Sequence, residues 1–331
     1  MSVESTESTE PPASPWTTTL AAAFERDARY LWGLSYRLTG SASLAEDLVQ
    51  ETFVRALRRP PARAELPLRP WLRRVATNLG IDALRRRQSR PYDGPWLPEP
   101  IDTARLTAPG PDVEDASICR EGLTLAFIAL LEVLSPQQRA VVVLRDALGL
   151  SVAETAEALE VGANNVKVAH HRARRKLAER SAYAPDVDQR ARHGELLSEL
   201  FVAIGGGDER RVIELLAADV RVLSDGGGVV RAARRVVVGA RDVTRLLVGI
   251  ARKGAPPVGV ELREINCLPA FDAIYGPGDP RGASRAIFQG VLGPNGRFSE
   301  LHIILAPAKT AAVERAPWLL PLVCPAELMA P

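Results

Sequence analysis

Two stretches of the chain concentrate side chains that bind polyanions. Residues 63–90 hold eight arginines against only Glu65 and Asp82. Such a surface neutralises phosphates and attracts nucleic acid in a salt-dependent way. A second stretch, Ala163–Ala178, presents Asn164, Asn165, Lys167, His170, His171, Arg172, Arg174 and Arg175 mostly outward. A third polar surface is acidic: Glu46, Asp47, Gln50 and Glu51 share one helix and read either as a solvated face or as a protein contact. Covalent chemistry has little to draw on. Asp225, His302 and Tyr275 could be imagined as an acid–base set, but His302 in FSELHIILA also reads as a plain strand residue. Adjacent helix positions point about 100° apart, so His170 and His171 converge poorly on a metal. Cys119, Cys267 and Cys324 are odd in number and far apart, which offers neither a disulfide framework nor a zinc motif. No catalytic residue, metal or cofactor is expected.

These surfaces need helices to hold them. From Leu20 to Thr39, Phe24, Leu31, Leu34 and Leu38 recur close to a 3.6 period, and Gly40-Ser41 ends the pattern. Ser43 with Glu46 three residues on reads as a capping box for a helix to about Arg58. That helix would bury Leu44, Leu48, Phe53, Val54 and Leu57 before Pro60-Pro61 stops it. A third helix, Pro70 to Gln88, turns Trp71, Leu72, Val75, Leu79, Ile81 and Leu84 inward. Residues 91–117 lose periodicity and read as a flexible linker. Helices resume near 116–134, and Ser135-Pro136 caps the next. Three short helices follow near 136–147, 151–159 and 163–179, with Ala153, Ala156, Leu159, Val166 and Leu177 inward. After Pro185 the pattern changes. Helices at 187–204, 208–217 and 240–252 accompany β-like runs at 220–223, 229–232 and 235–238. Longer strands at 258–268, 270–275, 283–292 and 297–306 complete a curved antiparallel sheet.

The chain has 331 residues, 46% of them hydrophobic and 25% charged, which fits folded protein of two or three domains and excludes wholesale disorder. No apolar run approaches the roughly 18–20 residues of a membrane helix. The first residues, MSVESTESTEPPASPW, have no basic, apolar leader pattern and read as a disordered tail (1–19) of a cytoplasmic protein. The net charge of +2 hides a pattern: residues 1–90 carry +4, 91–121 carry −5, 122–180 carry +2 and 181–331 carry +1.

The segments AEDLVQETFVRAL (Ala45–Leu57) and WLRRVATNLGIDALRRRQ (Trp71–Gln88) resemble region 2 of the sigma-70 family, in its extracytoplasmic-function (ECF) branch. LSPQQRAVVVLRDALGLSVAETAEALEVGANNVKVAHHRARRKL (Leu134–Leu177) resembles region 4, a helix-turn-helix. WLPEP (Trp96, Leu97, Pro98, Glu99, Pro100) and DGGG (Asp225, Gly226, Gly227, Gly228) are similar to motifs of the subgroup with a C-terminal SnoaL-like extension. The implied fold is multidomain. Two all-α modules, region 2 (20–90) and region 4 (118–181), are joined by the linker (91–117). An α+β SnoaL-like cone (187–306) and a Pro-rich tail (307–331) follow.

The resemblance implies a bacterial alternative sigma factor without enzymatic activity. Glu46, Asp47, Gln50 and Glu51 would dock on the β′ clamp helices of core RNA polymerase, with the β flap as a further contact. The loop 60–67 and the Trp71–Gln88 helix would grip the −10 promoter element. Asn78 would meet an extruded base, and Arg73, Arg74, Arg85, Arg86 and Arg87 would meet phosphates. In the −35 element, Asn164, Asn165 and Lys167 would face base edges, while His171, Arg174 and Arg175 hold phosphates. Trp71 reads as core rather than as a stacking platform. The acidic linker is either a mimic of nucleic acid or a solvated tether. DGGG is either a hairpin turn or a contact to the helical modules. APAKT (Ala306–Thr310) stands where the subgroup carries NPDKL and keeps only the Pro and Lys309, so whether the contact belonging to that motif is made stays open at this point. The cone would control the relative placement of the two modules, with no separate anti-sigma factor and no membrane. The alternatives are a ligand-sensing DNA-binding regulator, with a small molecule in the cone, and a SnoaL-like enzyme fused to a DNA-binding module.

Overall fold

The computed structural model describes residues 15–60, 67–106, 123–178, 189–278 and 282–314. The tail 1–14, most of the loop 60–67, the acidic linker beyond 106, the start of the helix expected at 116, and residues 315–331 lie outside the described residues.

Helices α1 (Pro15–Thr39), α2 (Ala42–Arg58) and α3 (Leu68–Gln88) form the first module. The expected stripe of α1 is buried, and Phe24 meets Phe53 of α2 edge-on at 4.8 Å. α1 starts earlier than expected: residues 15–19 are helical, anchored by Trp16 Nε1 donating to the Ala56 carbonyl at 3.2 Å. The buried stripe of α2 is rotated from the expected one. Ala42, Ala45, Val49 and Ala56 join Leu48 and Phe53 inside, whereas Leu44, Val54 and Leu57 are half-buried. Small side chains let α2 pack closely on α1, and a periodicity of large apolar residues does not register them. Trp71 is half-buried and packs on this core.

The second module comprises α5 (Leu125–Leu130), α6 (Pro136–Val142), α7 (Val152–Leu159) and α8 (Ala163–Ala178), preceded by the short α4 (Thr103–Leu106). Ser135 with Gln138 and Ser151 with Glu154 form reciprocal capping boxes on α6 and α7. α7 buries Thr155, Ala158 and Leu159, while Ala153 is exposed and Ala156 half-buried. Thr155 goes inside because its hydroxyl donates to the Ser151 carbonyl at 2.8 Å, which meets its polar requirement.

The C-terminal domain is α9 (Gln189–Gly206), α10 (Glu209–Leu215), β1 (Leu216–Asp225), β2 (Val237–Val238), α11 (Ala240–Lys253), β3 (Gly259–Ile265), β4 (Leu268–Ile274), β5 (Arg285–Leu292), β6 (Phe298–Ile304) and α12 (Pro307–Thr310). The sheet order is β2-β1-β6-β5-β4-β3. It is not wholly antiparallel, because β1 runs parallel to β6. Residues 229–232 form no strand, and the run expected to continue to 268 turns back at Asn266-Cys267. One sheet face packs Phe271, Phe288, Phe298 and Leu301 against Leu197, Leu200, Val243 and Leu247 of the helices. The other packs Ile265, Ala270, Ile287 and Ile304 against Leu97 of the linker, Leu125 of α5 and Val313. The second face makes one body of all three parts. Residues 307–314, expected as tail, belong to it, with Thr310, Ala312 and Val313 buried.

Candidate nucleic-acid interface

Helix α8 offers a continuous polar surface. Val166 and Ala173 are buried, while Asn164, Asn165, Lys167, His171, Arg174 and Arg175 are exposed. His170 turns back instead: its Nε2 lies 2.7 Å from Asp146, which Arg174 also approaches at 3.3 Å. Asp146 thus ties α8 to the segment before α7 and leaves Asn164, Asn165 and Lys167, at the N-terminal end of the helix, exposed.

The arginines of α3 do not form one free surface. Arg85 and Arg86 are exposed, with Arg85 3.0 Å from Asp82. Asn78 is half-buried. Arg73 is buried, at 7% exposure. Arg74 pairs with Glu160, beyond α7, at 3.4 Å. Arg87 reaches Glu132 of the second module at 2.5 Å and donates to the Thr39 carbonyl at 3.2 Å. Glu132 also binds Arg139, whose fully buried guanidinium has its pKa pulled down to about 10 by desolvation, against the opposing pull of Glu132. Helices α6 and α7 pack on α3, so the helix expected to read the −10 element is partly covered by the module expected to read −35. On α2, Asp47 is exposed, Glu46, Gln50 and Glu51 are half-buried, and Glu51 pairs with Arg55 at 2.7 Å.

The linker corrects a sequence expectation. Residues 91–106 are not a free tether but a strap laid between the domains. Leu97 is fully buried and Ile101 nearly so. Asp225, also fully buried, accepts from Tyr92 Oη at 2.6 Å and from the Leu97 N–H at 2.8 Å. Lys309 completes the site: its Nζ lies 2.7 Å from Asp225, donates to the Leu97 carbonyl, and stands 4.3 Å from the centre of the Trp96 ring. Arg87 lies over the same ring at 3.9 Å. DGGG therefore does both: its glycines turn the chain, and Asp225 makes a contact with the strap rather than with the helical modules themselves; APAKT reaches the same site through Lys309. Burial lowers the Lys309 pKa, with Asp225 working against that shift; burial and the bond to Asp225 raise the Tyr92 pKa. Gly40 has φ +68°, and a Cβ there would stand 2.4 Å from the Trp96 ring. Pro98 and Pro100 are buried beside Glu99. Gly226 is buried, Gly227 and Gly228 take φ of +62° and +72°, and the Gly227 N–H donates to Asp225 at 2.9 Å.

Glu99 caps α2. Its carboxylate accepts from Ser41 Oγ and the Ala42 N–H, both at 2.7 Å, and from the Ser43 N–H at 3.3 Å. The N-cap is Ser41, not Ser43. No local capping pattern reveals an acceptor more than fifty residues away. The Glu132–Arg87 pair and the contacts of Asn266 leave no local pattern for the same reason: these partners are distant in sequence. Asn266 alone left a weak trace, as a turn-forming residue inside a strand pattern.

The imagined acid–base set does not assemble inside the cone. Leu223, on the linker-facing side, pairs in register with His302, and Asp225 is taken up by the strap. The helix-covered interior is filled by Phe201, Phe271, Phe288 and Phe298.

The fold and these surfaces define a two-module helical DNA-binding protein with a fused α+β domain clamped onto it. Residues 23–90 match the family model for sigma-70 region 2, and residues 124–177 match that for sigma-70 region 4. The ECF RNA polymerase sigma factor SigJ of Mycobacterium tuberculosis is 34% identical over 235 residues, 70% of this chain and 73% of SigJ. The probable ECF RNA polymerase sigma factor SigI of the same species is 29% identical over 297 residues, 87% of this chain and 94% of SigI. The crystal structure of SigJ is similar with a TM-score of 0.71 at 28% identity, covering 88% of this chain and 99% of that one. This chain belongs to the ECF RNA polymerase sigma factors, alternative sigma factors that direct core RNA polymerase to promoters. The SigJ match extends through the C-terminal domain expected as SnoaL-like. None of these comparisons supports the expectation that a separate anti-sigma factor is dispensable.

Proposed function

We propose that the structure is the closed state of this sigma factor and that the C-terminal domain holds it closed. The carrying observation is the covered face of α3: Arg87 and Arg74 are ion-paired to the second module, and the strap over Arg87 is fastened by Asp225 and Lys309. The names −35 and −10 put the two elements roughly 25 base pairs apart, on the order of 80 Å along a duplex at 3.4 Å per pair. Two modules packed helix against helix cannot read both. Opening separates them and frees α3. In the open form, α8 takes the −35 element through Asn164, Asn165 and Lys167, with His171, Arg174 and Arg175 on phosphates. α3 takes the −10 strand through Asn78 and its arginines. Glu46, Asp47, Gln50 and Glu51 dock on the polymerase clamp. The polymerase performs the chemistry, and the sigma factor itself acts as a non-enzymatic cytoplasmic switch. Its fused domain takes the part that a separate anti-sigma factor plays elsewhere.

Run-off transcription with core RNA polymerase and full-length protein tests this reading. Lys309→Met removes the cation facing buried Asp225, a change that costs about 3–5 kcal/mol when a buried pair is broken. The variant is expected to open and to give more promoter-specific transcript than the wild type. No specific transcript from either protein defeats the promoter-directing role. Equal or lower output from a demonstrably opened variant defeats closure as inhibition.

A further inference from the structure

We propose that the tip of the β3–β4 hairpin is a pin that sets where the second helical module sits on the first, with Asn266 as its positioning residue. This rests on the closed-state reading and adds to it a contact separate from the Asp225–Lys309 fastening.

The tip is a two-residue turn in which Asn266 and Cys267 both take left-handed backbone, φ +49° and +65°. Asparagine tolerates this region better than most residues. The tip does not point into solvent, as hairpin ends usually do. Asn266 is fully buried, and Cys267 belongs to the hydrophobic core of the helical modules rather than to that of its own domain. The Asn266 amide joins three separate segments. Nδ2 donates to Tyr36 Oη of α1 at 2.8 Å and to the Leu123 carbonyl, at the entry to the second module, at 2.7 Å. Oδ1 accepts from the Ile101 N–H of the strap at 2.8 Å, and the Asn266 backbone N–H donates to the Ile101 carbonyl at 2.8 Å. Tyr36 Oη in turn donates to the Glu99 carbonyl at 2.6 Å. The neighbouring Cys267 N–H donates to Thr103 Oγ1 at 2.7 Å.

The base of the hairpin is stiffened from within its own sheet. Gln289 of β5, fully buried, donates from Nε2 to the Ile265 carbonyl at 2.9 Å and to the Leu268 carbonyl at 3.3 Å. Arg263 of β3 holds Asp102 of the strap at 3.1 Å. A rigid stem therefore carries one planar amide into a dry junction, where its donors and acceptor fit only one placement of α1, the strap and residue 123. Buried polar groups that lose such a partner have no water to replace it. The pin thus selects a single geometry instead of adding general adhesion.

The test uses the full-length protein with a fluorophore pair on exposed Arg58 of α2 and Arg172 of α8, each replaced by cysteine in a background that lacks Cys119 and Cys324 but keeps buried Cys267. Asn266→Gly keeps the left-handed turn but deletes the amide. It is expected to raise the open fraction about tenfold, the equivalent of one to two net hydrogen bonds, and to raise run-off transcription in parallel. Tyr36→Phe removes only the hydroxyl partner and is expected to shift the same distance distribution by a smaller factor. It also keeps the inference testable if the glycine variant does not fold. An unchanged distribution in both variants, while Lys309→Met opens the molecule, overturns the pin and leaves the closed-state reading standing. Opening by Asn266→Gly without any gain in transcript keeps the pin and defeats closure as inhibition.

Discussion

Lys309 shows how one residue joins three parts of the chain. Its ammonium leaves water, and that cost is met by Asp225, the Leu97 carbonyl and the Trp96 face together. Sequence comparison marked the lysine as retained in an otherwise altered motif, but its partners lie 84 and 212 positions away and were not readable from spacing. His193 makes the opposite case. It is buried on α9, its ring 5.9 Å from that of Phe298, and desolvation lowers its pKa despite the contact with the Gly290 backbone. The unfolded chain therefore takes up a proton at higher pH than the folded one. Stability is full above the ordinary histidine value of about 6.5 and falls as pH drops through it, by at most about 1.4 kcal/mol per pH unit. Thermal unfolding of the full chain between about pH 5 and pH 7 should show this slope, and His193→Leu should flatten it. An identical slope in the variant rules His193 out as its source.

Among the elements, α2 carries the clearest lesson. The sequence correctly implies an amphipathic helix ending near Arg58, but both its cap and its buried face are set by neighbours. Ser41 and Glu99 satisfy the first N–H groups, and the Glu99 charge lies at the positive end of the helix dipole. The strap thereby touches the helix that presents Glu46, Asp47, Gln50 and Glu51. Glu99→Ala should cost about 1–2 kcal/mol, seen as faster hydrogen exchange at the Ala42 and Ser43 amides. Glu99→Gln, which keeps an acceptor but no charge, should fall between. Exchange at those amides unaffected by either variant would remove Glu99 from the cap.

For the molecule as a whole, the near-zero net charge conceals basic surfaces, and part of their charge is paired within the protein. Arg87 and Arg74 of the basic first module meet Glu132 and Glu160 of the second, so cations suited to phosphates are engaged within the protein. In the proposed opening, those partners are exchanged for DNA. Each phosphate newly neutralised steepens the dependence of log K on log salt by about 0.9 on duplex DNA and about 0.7 on single strands. Lys309→Met should therefore bind a promoter fragment with a forked −10 region with a slope steeper than wild type by about 1 or more. Equal slopes would show that α3 stays covered in the variant.

Period and composition were enough to define the two helical modules, most of the strands and the polar face of α8, because these follow from local burial patterns that repeat along the chain. Family motifs added the promoter-directing role and singled out WLPEP and DGGG. Tertiary structure alone decided that WLPEP is a strap, that Glu99 joins Ser41 in capping α2, that Arg73 is buried and Arg87 paired with Glu132, and that Asn266 lies at a three-way junction. Each of these depends on partners tens to hundreds of residues apart. Local sequence fixes which groups need a partner; only packing determines which distant group supplies it.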